Sequence, residues 1–140
     1  MKLILIMLMA LMPFSVFAGQ NYGDAIVYRL VSVYDGDTIK VDIDGMPAII
    51  GEAVSIRVYG IDTPEMRGGT YLTKLKAKKA RDFLYKRLMK AEVIELVDMS
   101  RGKSFRIVAK VYIDGTDIGP EMIKRGLAKP YYGGKKIAWE

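Results

Sequence analysis

Three Asp-Gly pairs, Asp35-Gly36, Asp44-Gly45 and Asp114-Gly115, lie beside short runs of alternating residues and limit the folds open to this chain. Such a pair reads as a tight turn, because both residues tolerate the left-handed backbone that hairpins need. Residues 25–34 alternate loosely, with Val27, Val31 and Val33 on one side. Residues 38–43 alternate strictly, which predicts a strand with one wet face. Residues 46–50 and 54–61 read as a third strand, interrupted at Gly51-Glu52-Ala53 by a bulge or a small protruding loop. Residues 93–97 and 105–113 read as two more.

The period changes over residues 72–89. Leu72, Leu75, Ala80, Phe83, Leu84 and Leu88 recur at helical spacing, with Lys74, Lys78, Arg81, Asp82 and Lys86 largely opposite. Gly68-Gly69 forms the loop before this helix, and Thr70 is its predicted cap. A short helix over 118–125 ends at Gly126. The tail, 131–140, has no clear period. The expected class is therefore α+β, mainly β: five strands with one long and one short helix. Consecutive hairpins suit a small closed barrel. An open α+β sheet is the alternative, and pattern alone does not separate the two.

Residues 1–18 differ in kind from the rest. Lys2 precedes an unbroken apolar run, Pro13 ends it, and small residues follow up to Ala18-Gly19. That is the layout of a secretory signal. The run is shorter than the ~20 residues a spanning helix needs. The expectation is cleavage after Ala18, export to the periplasm or medium, and one domain over 19–140 without a membrane anchor.

Histidine and cysteine are both absent. Thiolate sites, disulfides, His-ligated zinc and histidine acid–base pairs are thereby excluded. Chemistry must come from carboxylates, cations, hydroxyls or a hard metal. The net charge of +6 falls by one with the leader, which takes Lys2 and no acid. It suits a polyanionic partner.

Acids gather where strands end, at Asp35-Gly36-Asp37-Thr38 and at Asp62-Thr63-Pro64-Glu65. Pro64 holds Thr63 extended, which keeps Asp62 and Glu65 apart and leaves the Thr63 carbonyl to point outward. Aspartate, carbonyl and aspartate form a hard oxygen set of the kind calcium takes. Arg57 lies five residues before Asp62, and its guanidinium can fork onto a phosphate.

The Asp35–Thr38 turn, the run Arg57-Val58-Tyr59-Gly60-Ile61-Asp62-Thr63-Pro64-Glu65, Arg106, Tyr112-Ile113-Asp114-Gly115 and Lys124-Arg125-Gly126-Leu127-Ala128 together resemble the thermonuclease (staphylococcal nuclease) family. The resemblance runs in order along nearly all of residues 19–140. It implies a five-stranded OB-fold barrel and a calcium-dependent phosphodiesterase that leaves 3′-phosphate ends on DNA and RNA. Matched by position, Asp37 and Asp62 would be metal carboxylates and Thr63 a carbonyl ligand. Glu65 would activate or orient the attacking water, and Arg57 and Arg106 would grip the scissile phosphate. Lys103 and Tyr132 would contact substrate. The expected protein is a monomer. Departures are Ser104 in place of a family tyrosine, about six residues inserted around 49–53, and no counterpart of a long C-terminal helix. The rival reading is an OB-fold module that binds single strands without cutting them. The set Asp37, Arg57, Asp62, Glu65 and Arg106 separates the two, since a binder has no need of it.

Overall fold

A computed structural model describes residues 20–140. The expected leader, its cut after Ala18 and the start at Gly19 lie outside the described residues. Five strands form the body: β1 (Ala25–Val33), β2 (Thr38–Ile43), β3 (Val54–Val58), β5 (Ile94–Arg101) and β6 (Ile107–Ile113). They pair in the order β3-β2-β1-β5-β6, antiparallel throughout, and a parallel β3–β6 pairing closes the ring. The barrel, not the open sheet, is what these residues build.

Its interior holds the inward residues of four strands, Ile39 and Val41, Ile56 and Val58, Leu96, then Ala109 and Val111, all buried, with Val27, Leu30 and Val33 of β1 partly buried against them. Helix α2 (Tyr71–Met89) caps the barrel, and Ile118 and Met122 of α3 (Ile118–Lys124) join the core. The Thr70 hydroxyl accepts the Thr73 amide at 3.2 Å, as a capping residue should. Asp114 and Gly115 are both left-handed and connect β6 to the two-residue strand β7 (Thr116–Asp117).

Several expectations need correction. Residues 46–50 are not strand. The Ile50 and Gly51 amides turn back onto the Pro47 carbonyl, forming the single helical turn α1 (Ala48–Gly51). The reason is register: Thr38 to Val41 pair with Arg57 to Val54, so no strand edge remains for residues 46–53. The third strand also stops early. Gly60 is left-handed, and β4 (Gly60–Asp62) leaves the barrel to pair with β8 (Lys129–Tyr131), a strand that sequence pattern does not reveal. Ser104 and Phe105 are left-handed as well, so the last barrel strand starts at Ile107 rather than 105. On α2 the buried stripe is Thr73, Ala77, Ala80, Leu84 and Leu88, while Leu72 and Leu75 face solvent.

The small residues of that stripe bring α2 close against the turn before β2. A Cβ on Gly36 would sit 2.7 Å from the Ala80 Cβ and 2.8 Å from the Thr63 Cγ2. Gly36 is thus needed for close approach, not for a left-handed turn. It clamps the Asp35–Thr38 turn between α2 and the loop after β4.

Candidate active site

Two pairings and the segment at the end of β4 bring the acids and Arg57 together. Thr38 opposes Arg57 across β2–β3, and the Val58 amide donates to the Asp37 carbonyl at 2.8 Å. The end of β4 and the loop after it then bring Asp62 and Thr63 to the same end of the barrel. Asp37, Asp62 and Thr63 are all buried.

The Asp37 carboxylate is fully engaged. Its Oδ1 takes the Arg57 Nη1 at 2.5 Å and the Thr38 hydroxyl at 3.0 Å. Its Oδ2 accepts the Thr63 amide at 2.9 Å and the Thr63 hydroxyl at 3.2 Å. Arg57 also donates through Nη2 to the Ile61 carbonyl at 3.2 Å and lies 3.4 Å from Asp62 Oδ1. Its guanidinium carbon is 5.7 Å from the centroid of the Tyr131 ring. Charge-assisted bonds to two carboxylates leave this planar cation little freedom. Asp35 accepts the Asp37 amide at 3.0 Å, while burial, and next the nearby Asp37 charge, push its carboxyl up to about 6.

The tail completes the site. After β8, Gly133 and Gly134 are left-handed, and the chain folds back. The Lys129 ammonium donates to the Ala138 carbonyl and lies 4.6 Å from the Trp139 ring centroid, pinning the return. The Trp139 indole then donates to Asp62 Oδ2 at 3.2 Å. The Lys136 ammonium bridges Asp62 Oδ1 at 2.8 Å and Glu65 Oε1 at 3.1 Å. Burial works against that charge, yet hydrogen bonds and charge from Asp62 and Glu65 hold its pKa above the usual lysine value.

A cleft of about 890 Å³ opens here. Asp37, Arg57, Thr63, Glu65, Lys103, Arg106 and Tyr132 line it, and Asp62 sits behind them. Arg106, half-buried, is in no ion pair among the described residues. Tyr132 is mostly exposed and packs edge-on against Tyr59, with ring centroids 5.7 Å apart. All eight sequence-predicted residues thus fall in or directly behind one cleft.

Among the described residues no three carboxylates stand close enough to hold an ion as they are. The donor set nevertheless suits a hard cation. Asp62 and Glu65 already share one positive charge, the Lys136 ammonium, and every donor is an oxygen. Lys136 and Trp139 are the site residues that sequence reasoning missed. The signal was Gly133-Gly134, which allows the chain to reverse, followed by a cation.

Residues 55–138 match the family described as Staphylococcal nuclease homologue. The chain is 29% identical over 113 residues to the thermonuclease of Staphylococcus hyicus, covering 80% of this chain and 63% of that protein. An uncharacterized protein of Methanocaldococcus jannaschii is 29% identical over 126 residues, covering 74% of this chain and 58% of its own length. A Schizosaccharomyces pombe protein named Probable endonuclease is 33% identical over 89 residues, covering 59% of this chain and 38% of that one. The chain therefore spans less than two thirds of each of these relatives. A family match over more than half of the chain, on a closed five-stranded barrel, means that the chain belongs to the staphylococcal nuclease homologue family.

Proposed function

We propose that this domain is an exported, calcium-dependent nuclease that hydrolyses phosphodiester bonds of DNA and RNA and leaves 3′-phosphate ends. One observation carries the reading: barrel closure gathers Arg57, Asp62 and Glu65 of one segment with Asp37 and Arg106 of two distant ones around a single cleft. Nuclease-named relatives support it. No helix among the described residues is long and apolar enough to cross a membrane, and the working form is taken as a monomer.

In this reading a single strand lies in the cleft with its scissile phosphate between Arg57 and Arg106. Displacement at phosphorus gathers negative charge on the non-bridging oxygens, and two fixed guanidiniums offset it. Asp37 holds Arg57 in place, so the cation need not reorganise as charge develops. Glu65 takes the proton of the attacking water. Water oxygen bonds to phosphorus, the P–O5′ bond breaks, and the departing oxygen takes a proton from bulk water and leaves as a 5′-hydroxyl. A largely exposed Glu65 can return its proton to solvent. Calcium would be held by Asp37, Asp62 and the Thr63 carbonyl, with Glu65 through water, in exchange for some of the contacts that these carboxylates now accept, and would supply further charge neutralisation. Lys103 and Tyr132 contact the strand beside the break.

The test is direct. Purified protein incubated with single-stranded DNA and with RNA should cut both in calcium, stop on chelation, and leave 3′-phosphates that block polymerase extension. Strand binding with no cutting in calcium would favour the non-catalytic binding module instead.

A further inference from the structure

A second groove, of about 630 Å³, runs off the active cleft along the barrel wall. It shares Lys40, Ser55 and Arg106 with that cleft, so the two are continuous. Its apolar surface is unusually bare for a small domain. Phe105 is 91% exposed and Ile49 92%, with Ile50 and Tyr22 more than half exposed.

We infer that this groove is a binding track for the bases of the single strand that flank the scissile phosphate. Four observations point to a nucleic-acid strand as the occupant. First, the groove opens into the site that would hold the phosphate. Second, three cations line it, Lys40, Arg101 and Arg106, against one acid, Glu52. Cations beside apolar surface suit a strand, whose phosphates and base faces alternate. Third, Phe105 projects from a turn closed by two backbone hydrogen bonds. Ser104 and Phe105 adopt φ of 56° and 58°, rare for a bulky side chain. The Gly102 amide donates to the Arg106 carbonyl at 2.7 Å, and the Arg106 amide to the Lys103 carbonyl at 3.2 Å, closing the turn. The turn holds Phe105 next to Arg106, so a stacked base and a gripped phosphate would belong to neighbouring parts of one strand. Fourth, the opposite wall is built from the residues left without a strand partner, where α1 presents Ile49 and Ile50.

The inference rests on the proposed placement of the phosphate, and its test separates the two. Oligothymidylates of two and about ten nucleotides are titrated in chelator, so that nothing is cut, and binding is read by fluorescence anisotropy. Single-strand sites span roughly 4–16 nucleotides, and losing one stacking aromatic costs roughly five- to 150-fold in affinity. Phe105→Ala should weaken the longer strand by that factor and leave the dinucleotide within about twofold. The double variant Ile49→Ser, Ile50→Ser should do the same to a smaller extent. All three residues are exposed, so the fold should survive.

Equal losses at both lengths would place Phe105 at the catalytic phosphate and overturn the track. So would unchanged affinity at both. A concentration-dependent dimer seen by sedimentation, abolished by Phe105→Ala with strand affinity intact, would make the groove a self-association face. Length-dependent losses in a protein that never cuts DNA in calcium would sustain the track while removing the nuclease reading.

Discussion

Arg57→Lys keeps the charge and removes the planar fork, so stability and catalysis can be measured on one variant. An ammonium in place of the guanidinium can keep a contact to Asp37, but it cannot also span to the Ile61 carbonyl and Asp62. Hydrogen bonds to charged groups are worth about 1.5–3 kcal/mol each. The contacts at 3.2 and 3.4 Å are long and belong at or below the bottom of that range. A loss of about 2 kcal/mol is therefore expected, with Tm falling by roughly 6–12 °C for a domain of this size. Well below the new midpoint, kcat should still fall by about two to three powers of ten, the scale for loss of one positioned donor. Melting followed by Trp139 fluorescence and single-turnover cutting at about 20 °C below the midpoint give the two numbers. If kcat holds within a few-fold while stability drops, Arg57 is a scaffold for Asp37 and the transition-state argument fails. If Tm holds as well, the bonds contribute nothing and the site is less organised than described.

Three other substitutions probe the packing, the acid limb and the metal site. Gly36→Ala puts a Cβ 2.7 Å from Ala80 and should cost about 1–3 kcal/mol by overpacking, read as a lower denaturant midpoint; an unchanged midpoint would mean that α2 is not pressed on the turn. Asp42 has its pKa depressed by the Ala53 amide, then by Arg29. It therefore contributes stability above its unfolded pKa of about 3.9 and loses it as pH falls through the lower folded value. Asp42→Asn should weaken the protein at neutral pH and flatten the acid limb below about pH 4; parallel limbs would refute this. Lys136→Met removes the ammonium shared by Asp62 and Glu65. Since half-exposed ion pairs are worth at most about 1 kcal/mol each, calcium should bind roughly two- to tenfold tighter by calorimetry. Unchanged or weaker binding would show that the ion and the ammonium do not compete.

The strands are readable because their signals are local. Residues 38–43 alternate in sequence over their full length, although the expected wet face is limited to Lys40 because Thr38 and Asp42 are buried in hydrogen bonds, and Asp114-Gly115 sits where a left-handed turn is needed. Closure by β3 and β6 is non-local, and the parallel pairing Arg57↔Val108 leaves no trace in either segment's period. The α1 turn misleads because Ile49 and Ile50 look like strand residues, although the hairpin register leaves them no partner. On α2, Leu72 and Leu75 draw attention by hydropathy. Contact is made instead by Ala77 and Ala80, whose smallness permits close approach. The site shows the same division. Asp37, Arg57 and Asp62 can be picked out because they recur in a family pattern. Lys136 and Trp139 reach Asp62 from more than seventy residues away, through a chain reversal at two glycines.

Glu65→Gln tests most directly whether the cleft cuts phosphodiesters with this carboxylate. The substitution keeps size and shape and removes the charge and most of the basicity. Saturating single-stranded DNA, calcium and a range of pH give kcat, and anisotropy in chelator gives strand affinity. With Glu65 as the base, kcat should fall by about two to four powers of ten, with an altered acid limb and affinity unchanged or slightly higher. A Glu65→Gln protein that cuts within a few-fold of the parent, on the same pH profile, would remove this carboxylate from the chemistry and contradict the mechanism.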